Sequence, residues 1–352
     1  QRRLAQPAFH KKRIEGLLDT IINATEETIS EWNKLEDGTV IDISHEMLKL
    51  TIRSLSKSLF SIDISSDSDI LGKSLRDGFN FINHKMNNMF TLPLWFPNQR
   101  NKLAKEALKN IDEVVLKIIS SRKEDQKEYN DLLAMLLHAK DDDSNEGMSL
   151  KQLKDEVFTL LLAGHDTTSA ALSWTFYLLA QNKDKNEKLI SEIDSILKDS
   201  TLTIEKVNQL EYTKMCFEEA MRLYPPAWSL PRESIHEDEM GGYKIPPKST
   251  IILSQSIIHR RSDFWEKPNE FYPEHFETEK VKNRHPFAYF PFGGGARMCI
   301  GFQFAMLEAE VILSMLLNKF ELELVPNQNI IPDTTFTLIP KDGIKFILKK
   351  RK

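Results

Sequence analysis

The chain has 352 residues, of which 41% are hydrophobic and 28% charged, a balance typical of a soluble globular protein and not of a disordered or membrane-embedded one. The formal net charge of -5, without a long Lys/Arg block, argues against nucleic-acid binding. Two cysteines, Cys216 and Cys299, are too few for a disulfide framework or a structural zinc site, which favours a reducing compartment. The apolar runs are shorter than the ~20 residues that a membrane span needs.

Roughly the first 135 residues predict successive helices, because apolar residues such as Leu18, Ile21 and Ile22 recur with helical spacing. The chain begins at Gln1 without a methionine, so we expect a preceding segment with any anchor or signal. Residues Met89 to Gln99, "MFTLPLWFPNQ", break the helical pattern with two prolines. They form either an ordinary buried connector or an entrance for a lipophilic substrate.

The longest predicted helix begins after the capping-box pattern at Ser149 and runs to about Gln181, roughly 50 Å at the ordinary helical rise. Gly164 and the threonines that follow it interrupt its apolar run, although Gly weakens a helix interior and Thr hydroxyls compete for backbone carbonyls. Residues that disfavour a helix but lie in its middle indicate a functional site. Further along, Glu239 to Ser254 predicts a β-hairpin around a Gly-Gly turn.

The stretch "PFGGGARMCIG", Pro291 to Gly301, places Cys299 just before an apolar, helix-forming run. A helix N-terminus and the nearby Arg297 favour a thiolate, and the glycines allow a flat group to approach the backbone. This arrangement suits an axial ligand of heme iron. Taken alone, Cys299 also fits a buried inert cysteine, and we assign Cys216, on an apolar helical stripe, to the core.

Phe292, Gly295, Arg297, Cys299 and Gly301 match, position for position, the cysteine-ligand loop of the cytochrome P450 family of heme-thiolate monooxygenases. The chain therefore resembles that family, and the resemblance implies that Cys299 binds the iron of heme b. It also implies a set of heme-binding residues: Arg2, Ala163, Gly164, Arg232, Phe292, Gly293, Arg297, Cys299 and Gly301. Arginines suit the two heme propionates because they form charge-assisted hydrogen bonds with carboxylates.

The mid-helix sequence "AGHDTT", Ala163 to Thr168, resembles the oxygen-binding groove of the same family. The resemblance implies that Thr167 hydrogen-bonds iron-bound dioxygen and that Asp166 relays protons; both are assigned as catalytic. His165 falls at the variable position of the groove, and a role as a metal ligand is its alternative.

Glu219 and Arg222 lie three residues apart on a predicted helix, a spacing that alone indicates a surface ion pair of little value. Followed by Tyr-Pro-Pro, they resemble the buried Glu-x-x-Arg pair of the family. In the segment "PEHF", His275 replaces the usual arginine. An imidazole is not reliably charged at neutral pH, so we expect a looser and more pH-dependent pair. These three residues are assigned a structural role.

The resemblance implies a mainly α fold with small β-sheets, the cytochrome P450 fold without its N-terminal portion. Arg2 resembles the arginine of the family's Trp-x-x-x-Arg helix, so residues 1–352 would form a single P450 domain that lacks about the first fifth of a typical member. We expect a cytoplasmic, soluble protein of bacterial type, and an N-terminal anchor before residue 1 stays open.

The resemblance further implies a monooxygenase that inserts one atom of O2 into a lipophilic organic substrate, by hydroxylation or epoxidation. Two electrons would come from a separate ferredoxin or flavoprotein reductase, because the chain has no GxGxxG dinucleotide fingerprint in the right context. A peroxide-using or isomerising relative of the same fold, or a truncated non-catalytic fragment, are the alternatives. The predicted substrate pocket comprises Phe158, Leu162, Ala163, Ala227, Trp228, Phe336 and Thr337.

Overall fold

A computed structural model describes residues 2–88, 90–124, 129, 131–138, 147–198 and 201–351. Helices account for most of the chain. In chain order they are α1 (Arg2–Ala5), α2 (Lys11–Glu15), α3 (Leu18–Asn33), α4 (Ile43–Phe60), α5 (Ser68–Asn87), α6 (Gln99–Glu124), α7 (Leu132–His138), α8 (Leu150–Gln181), α9 (Lys183–Leu197), α10 (Ile204–Val207), α11 (Glu211–Leu223), α12 (Gln255–Ile258), α13 (Thr278–Asn283) and α14 (Phe302–Lys319).

The strands are short and antiparallel. They are β1 (Val40–Asp42), β2 (Leu230–Glu233), β3 (Asp238–Met240), β4 (Tyr243–Ile245), β5 (Thr250–Leu253), β6 (Phe320–Leu324), β7 (Pro332–Asp333), β8 (Ile339–Pro340) and β9 (Lys345–Lys350). One sheet has the order β1-β9-β6, and the pairs β2-β5, β3-β4 and β7-β8 form the others. The expected fold class, mainly α with small β-sheets, is therefore confirmed.

Helix α8 begins and ends where the sequence predicts. The Ser149 side chain accepts a hydrogen bond from the Gln152 backbone N–H at 3.3 Å, and the Gln152 side chain accepts one from the Ser149 N–H at 2.9 Å. This reciprocal capping box satisfies two of the free donors at the helix start. The helix continues for 32 residues to Gln181.

The core packs around α8 and α14. Helix α4 lies along α8, and α14 contacts α3, α8, α9 and α11. Buried tryptophans fix the edges of this core: Trp32 contacts Phe320 edge-to-face at 5.3 Å between ring centroids, and Trp174 stacks on Tyr224 at 4.1 Å. The helices thereby hold the middle of α8 and the start of α14 in fixed positions.

The predicted hairpin over Glu239 to Ser254 is only half right. Strands β3 and β4 do pair across Gly241 and Gly242, which both have positive φ. Strand β5, however, pairs with β2, so that Ile251 lies opposite Arg232. The residues after the turn therefore belong to two sheets, and β2-β5 carries Arg232 towards the site described below.

The connector between α5 and α6 exposes its aromatic side chains. Phe90 and Trp95 are 93% and 74% exposed, so the ordinary buried connector does not describe these two residues. Met89 lies outside the described residues. Within the described part of the chain, no helix combines the length and the apolarity that crossing a bilayer requires.

Candidate active site

An apolar cavity of about 300 Å³ lies between α8 and the loop before α14. Its volume and mainly apolar lining are typical of a small-molecule site. The lining residues that the sequence predicted are Ala163, Gly164, Thr167, Ala227, Arg232, Phe292, Gly293, Arg297, Cys299 and Gly301. The fold thus brings the cysteine loop and the "AGHDTT" segment, more than a hundred residues apart, to one cavity.

The cysteine loop turns tightly before α14. Gly293 and Gly295 have φ of 73° and 65°, a region that favours glycine. The Cys299 N–H donates to the Phe292 carbonyl at 2.9 Å and closes the loop, while the Cys299 side chain faces the cavity. A Cβ at Gly293 would lie 3.5 Å from a methyl carbon of Leu230, so at this position the bare backbone itself forms part of the wall.

The surroundings of Cys299 differ from our expectation of a stabilised thiolate. Burial raises the pKa of the Cys299 thiol, and only the backbone N–H of Gly301 and the charge of Arg2 act in the opposite direction. The cation that lowers this pKa is therefore Arg2, and not Arg297 as the sequence suggests. A thiolate at this place needs a further positive partner, because desolvation disfavours the charged form.

The three predicted arginines occupy different places. Arg297 and Arg232 both line the cavity, and the Arg232 guanidinium also donates to the carbonyl of Pro231 at 2.8 Å. Arg2 is absent from the described lining. Its guanidinium instead donates to the carbonyl of Met298 at 2.7 Å, one residue before Cys299. Arg2 thus binds the backbone of the cysteine loop.

In the middle of α8 two threonine hydroxyls bond backbone carbonyls of the helix, as its sequence predicts. The Thr167 hydroxyl donates to the Ala163 carbonyl at 2.7 Å, and the Thr168 hydroxyl donates to the Gly164 carbonyl at 3.1 Å. Gly164 has a second role that the sequence did not reveal. A Cβ at this position would lie 2.7 Å from a methyl carbon of Leu55, so glycine allows α4 to approach α8 closely.

Asp166 does not share the cavity of its neighbour Thr167. It lines a second, more polar cavity of about 350 Å³, and there its carboxylate accepts a hydrogen bond from the hydroxyl of Thr337. His165 is fully buried, its Nδ1 bonds the Leu161 carbonyl at 2.7 Å, and burial lowers its pKa. Among the described residues no cluster of three possible ligands supports its alternative as a metal ligand.

The predicted substrate residues divide between the two cavities and the core. Ala163 and Ala227 line the apolar cavity, whereas Phe336 and Thr337 line the polar one. In the described part of the chain, Phe158, Leu162 and Trp228 line neither; the first two pack against the core. Sequence analysis missed several apolar lining residues: Phe9, Phe217, Met221 and Phe304.

The Glu-x-x-Arg pair is fully buried. Glu219 and Arg222 form a bidentate ion pair, with N–O distances of 2.7 and 2.8 Å, and both side chains have no exposed area. His275 Nδ1 donates to both oxygens of Glu219, at 3.1 and 3.2 Å, and the Tyr272 N–H donates to one of them at 2.8 Å. Arg222 also donates to backbone carbonyls, including that of Pro268 at 2.7 Å. The pair thus anchors the segment after α12.

Arg284, which the sequence analysis did not identify, contacts His275 of this network. The Arg284 guanidinium lies over the ring of Trp265, 4.1 Å from its centroid, and donates to the His275 carbonyl. Arg284 follows a surface-like run of charges, so its sequence context does not reveal that its side chain turns inward. Its cation supports the backbone of the residue that replaces the usual arginine.

The family model described as cytochrome P450 matches residues 1–348. The chain belongs to the cytochrome P450 family. This P450 is 33% identical over 344 residues to cyclooctatin synthase of Streptomyces melanosporofaciens, with 96% of this chain and 73% of that protein covered. It is 30% identical to cyclooctat-9-en-7-ol 5-monooxygenase of the same organism, with 93% of this chain and 71% of that protein covered.

A plant protein and a solved structure are also similar to this P450. A cytokinin hydroxylase of Arabidopsis thaliana is 31% identical and covers 99% of this chain, which spans 69% of that protein. The crystal structure of the cytochrome P450DA heme domain superposes with a TM-score of 0.89 at 26% identity, covering all of this chain and 77% of that one. These matches confirm the fold and show that the chain is a P450 monooxygenase, an oxidoreductase.

The residues of the apolar cavity fit the heme that the P450 family implies. The cavity presents the Cys299 thiol, a soft donor that suits iron. It also presents Arg232 and Arg297, which suit carboxylates, within an otherwise apolar wall. The family therefore implies heme with cysteine thiolate ligation, and the donor set of this chain agrees with it.

Proposed function

We propose that this P450 inserts one atom of dioxygen into a C–H bond or an alkene of a lipophilic small molecule. For hydroxylation the reaction is R–H + O2 + 2 e⁻ + 2 H⁺ → R–OH + H2O. The heme, when bound, supplies the activation of dioxygen. The observation that carries the proposal is that the Cys299 thiol and the Thr167 hydroxyl face the same apolar cavity.

Three residues of this chain would hold the cofactor. Cys299 Sγ would ligate the iron, whose charge supplies the positive partner that a thiolate in this apolar cavity needs. Arg232 and Arg297 would bind the propionates. Arg2 would keep the loop in place through the Met298 carbonyl. Glu219, Arg222 and His275 would act only as structural support.

Two residues of α8 would handle protons. Thr167 lines the apolar cavity, and because its hydroxyl proton is donated to the Ala163 carbonyl, its Oγ1 is oriented to accept a hydrogen bond and so hold a proton at that atom. Asp166, on the polar side of the same turn, can take protons from water in the second cavity. The helix would thus separate the proton source from the apolar site where the substrate binds.

The substrate class follows from the apolar lining. On the face of α8 that carries Thr167, Leu160 and Ala163 offer hydrocarbon surface, which favours a fatty acid or a terpenoid over a polar molecule. One relative is named for oxygenating cyclooctat-9-en-7-ol, which agrees with a mainly hydrocarbon substrate. The electrons would come from a separate ferredoxin or flavoprotein reductase, since the chain itself carries no dinucleotide fingerprint.

The absorption spectrum of the reduced, carbon monoxide-bound protein tests the cofactor assignment. We expect a strongly red-shifted Soret band in the wild type and its loss in Cys299→Ala, because a thiolate ligand causes the shift. Cys216→Ala, which removes the other cysteine from the core, is the matched control and should keep the band. A normal Soret position in the wild type would contradict thiolate ligation.

Labelled dioxygen tests the reaction itself. With heme-loaded protein, a surrogate ferredoxin system and a panel of fatty acids and terpenoids, we expect one labelled oxygen atom per product molecule. Product that forms only with hydrogen peroxide, or without any oxygen from O2, would favour the peroxide-using or isomerising relative instead.

A further inference from the structure

The hydroxyl of Thr337 donates a hydrogen bond to Asp166 Oδ2. This contact joins the middle of α8 to the turn between β7 and β8, 171 residues away in the chain. The Thr337 side chain is buried, with 6% exposure, so the donor has little freedom to turn elsewhere. A hydrogen bond from a hydroxyl to a carboxylate is charge-assisted, so it is stronger than a hydrogen bond between two neutral groups.

The bond holds Asp166 in the polar cavity, whose other walls carry charge. The ionisable groups that line it are Asp42 at the end of β1, His45 on α4, Arg76 on α5, Asp333 on β7, and Lys341 and Asp342 after β8. A cavity with so many polar partners can hold ordered water. Asp166 therefore borders a polar cavity suited to water, and this cavity is distinct from the apolar one.

The turn that carries Thr337 is also tied to the wall of the apolar cavity. The Leu338 N–H donates to the Pro226 carbonyl at 2.9 Å, and the indole N–H of Trp228 donates to the Phe336 carbonyl at 3.2 Å. Pro226 and its neighbour Ala227 line the apolar cavity. A single short turn thus contacts both the substrate-side wall and the carboxylate.

We propose that Thr337 is a positioning residue that holds Asp166 as the proton-accepting group of the polar cavity and links it to the wall where substrate binds. This role rests on the proposed monooxygenase function. The hydroxyl keeps one oxygen of the carboxylate engaged, so that the other oxygen serves water in the cavity. Without the hydroxyl the carboxylate turns freely, and protons reach the oxygen site less reliably.

The consequence is a change in how reducing equivalents are used. When both protons arrive at the right oxygen, the reaction yields R–OH and H2O. When delivery fails, the balance is O2 + 2 e⁻ + 2 H⁺ → H2O2, and no bond of the substrate changes. Substitution of Thr337 therefore diverts electrons to hydrogen peroxide without removing the cofactor or the substrate-binding wall.

The first experiment compares Thr337→Val, Thr337→Ser and Thr159→Val in the heme-loaded enzyme, with dodecanoic acid as the probe and a surrogate ferredoxin and reductase. Thr159 is the matched control, because its hydroxyl bonds the Asp155 carbonyl on α8 at 2.7 Å and it lines neither cavity. For Thr337→Val we expect the H2O2 released per NADPH, relative to product, to rise about tenfold, the effect of losing one charge-assisted hydrogen bond. We also expect a larger solvent isotope effect, whereas Thr337→Ser and Thr159→Val should behave like the wild type.

A second experiment needs neither heme nor turnover. The urea midpoint of unfolding, followed by circular dichroism, is measured for Thr337→Val in the wild-type background and in the Asp166→Ala background. If the two side chains form the bond described, Thr337→Val lowers the midpoint in the first background and has at most half that effect in the second. Equal shifts in both backgrounds would overturn the positioning role.

The two experiments separate the inference from the function on which it rests. A wild-type enzyme that consumes no dioxygen with reductant would remove the proposed function, while the unfolding cycle would still report on the contact. A normal wild-type enzyme in which Thr337→Val and Thr159→Val release the same share of H2O2 would overturn the inference and leave the monooxygenase function in place.

Discussion

At the scale of single residues, Glu308 is an acid held inside the core. It lies on α14, has no exposed area, and neither of its carboxylate oxygens meets a hydrogen-bond partner among the described residues. Burial raises the pKa of Glu308 to about 8, and the nearby hydroxyls of Ser54 and Thr168 offset this only in part. Glu308 therefore carries a proton at neutral pH in the folded protein.

A proton held in this way makes stability depend on pH. The folded pKa of about 8 lies above the unfolded value of 4.5, so the folded state retains a proton that the unfolded state releases, and stability falls as pH rises between these values. Glu308→Gln removes this loss. Relative to the wild type, its free energy of unfolding should rise by on the order of 3 kcal/mol between pH 5 and pH 7.5.

Denaturant titrations at the two pH values check this prediction. Ile312→Val, on the same helix and also fully buried, is the control, because it removes a methyl group without changing any titrating group. Its loss of about 1 kcal/mol should be the same at both pH values. A pH-independent difference between Glu308→Gln and the wild type would show that the carboxyl is ionised in the fold.

At the scale of elements, the contact between α4 and α8 depends on Gly164. Leu55 is 2% exposed and its methyl carbons would lie 2.7 and 2.8 Å from a Cβ at position 164. Replacement of glycine by alanine normally stabilises a helix interior by about 1 kcal/mol. Here we expect Gly164→Ala to lower the free energy of unfolding instead, by ~1–3 kcal/mol, because the added methyl overpacks the interface.

Two comparisons test this explanation of Gly164. Gly78, inside α5, has open space at its Cβ position, so Gly78→Ala should stabilise the protein through helix propensity alone. In a Leu55→Ala background, which is itself destabilised, the penalty of Gly164→Ala should disappear. Stabilisation by Gly164→Ala in the wild-type background would show that Leu55 moves aside freely.

The elements also show which features a sequence can predict. The start of α8 follows from a local capping box, which needs only Ser149 and Gln152, and the prediction is confirmed. The pairing of β5 with β2 depends on residues about twenty positions apart, and local turn signals could not reveal it. Nor could the sequence show which face of α8 lines the cavity. Leu160, Ala163 and Thr167 line it, whereas Phe158 and Leu162 do not.

At the scale of the whole molecule, the site is assembled by contacts between distant parts of the chain. Arg2 and Met298 are 296 residues apart, yet the Arg2 guanidinium donates a hydrogen bond to the Met298 carbonyl in the cysteine loop. Motif resemblance predicted residues that line the apolar cavity, because each motif is local. It could not show that Asp166 faces a different cavity from Thr167, because only the packing of α5 and the turn after β7 creates that second cavity.

The Glu-x-x-Arg pair likewise supports a segment that lies 37 to 48 residues further along the chain. Arg222 on α11 donates to the carbonyls of His259, Pro268 and Glu270, so one guanidinium joins the helix to three points of an otherwise irregular segment. Removing it would leave Glu219 as a buried charge with only His275 and one backbone N–H as partners. Loss of one partner from a buried ion pair is strongly destabilising.

We therefore expect Arg222→Ala to lower the free energy of unfolding by about 3–5 kcal/mol and to reduce the fraction of protein that retains heme. Arg261→Ala is the matched control, because Arg261 pairs with Asp263 at an exposed position in the segment after α12 and its loss should change little. Denaturant unfolding and the ratio of Soret to protein absorbance measure the two effects. If Arg222→Ala unfolds like the wild type, the pair is dispensable for the fold, and the carbonyls around Pro268 must be held by backbone contacts alone.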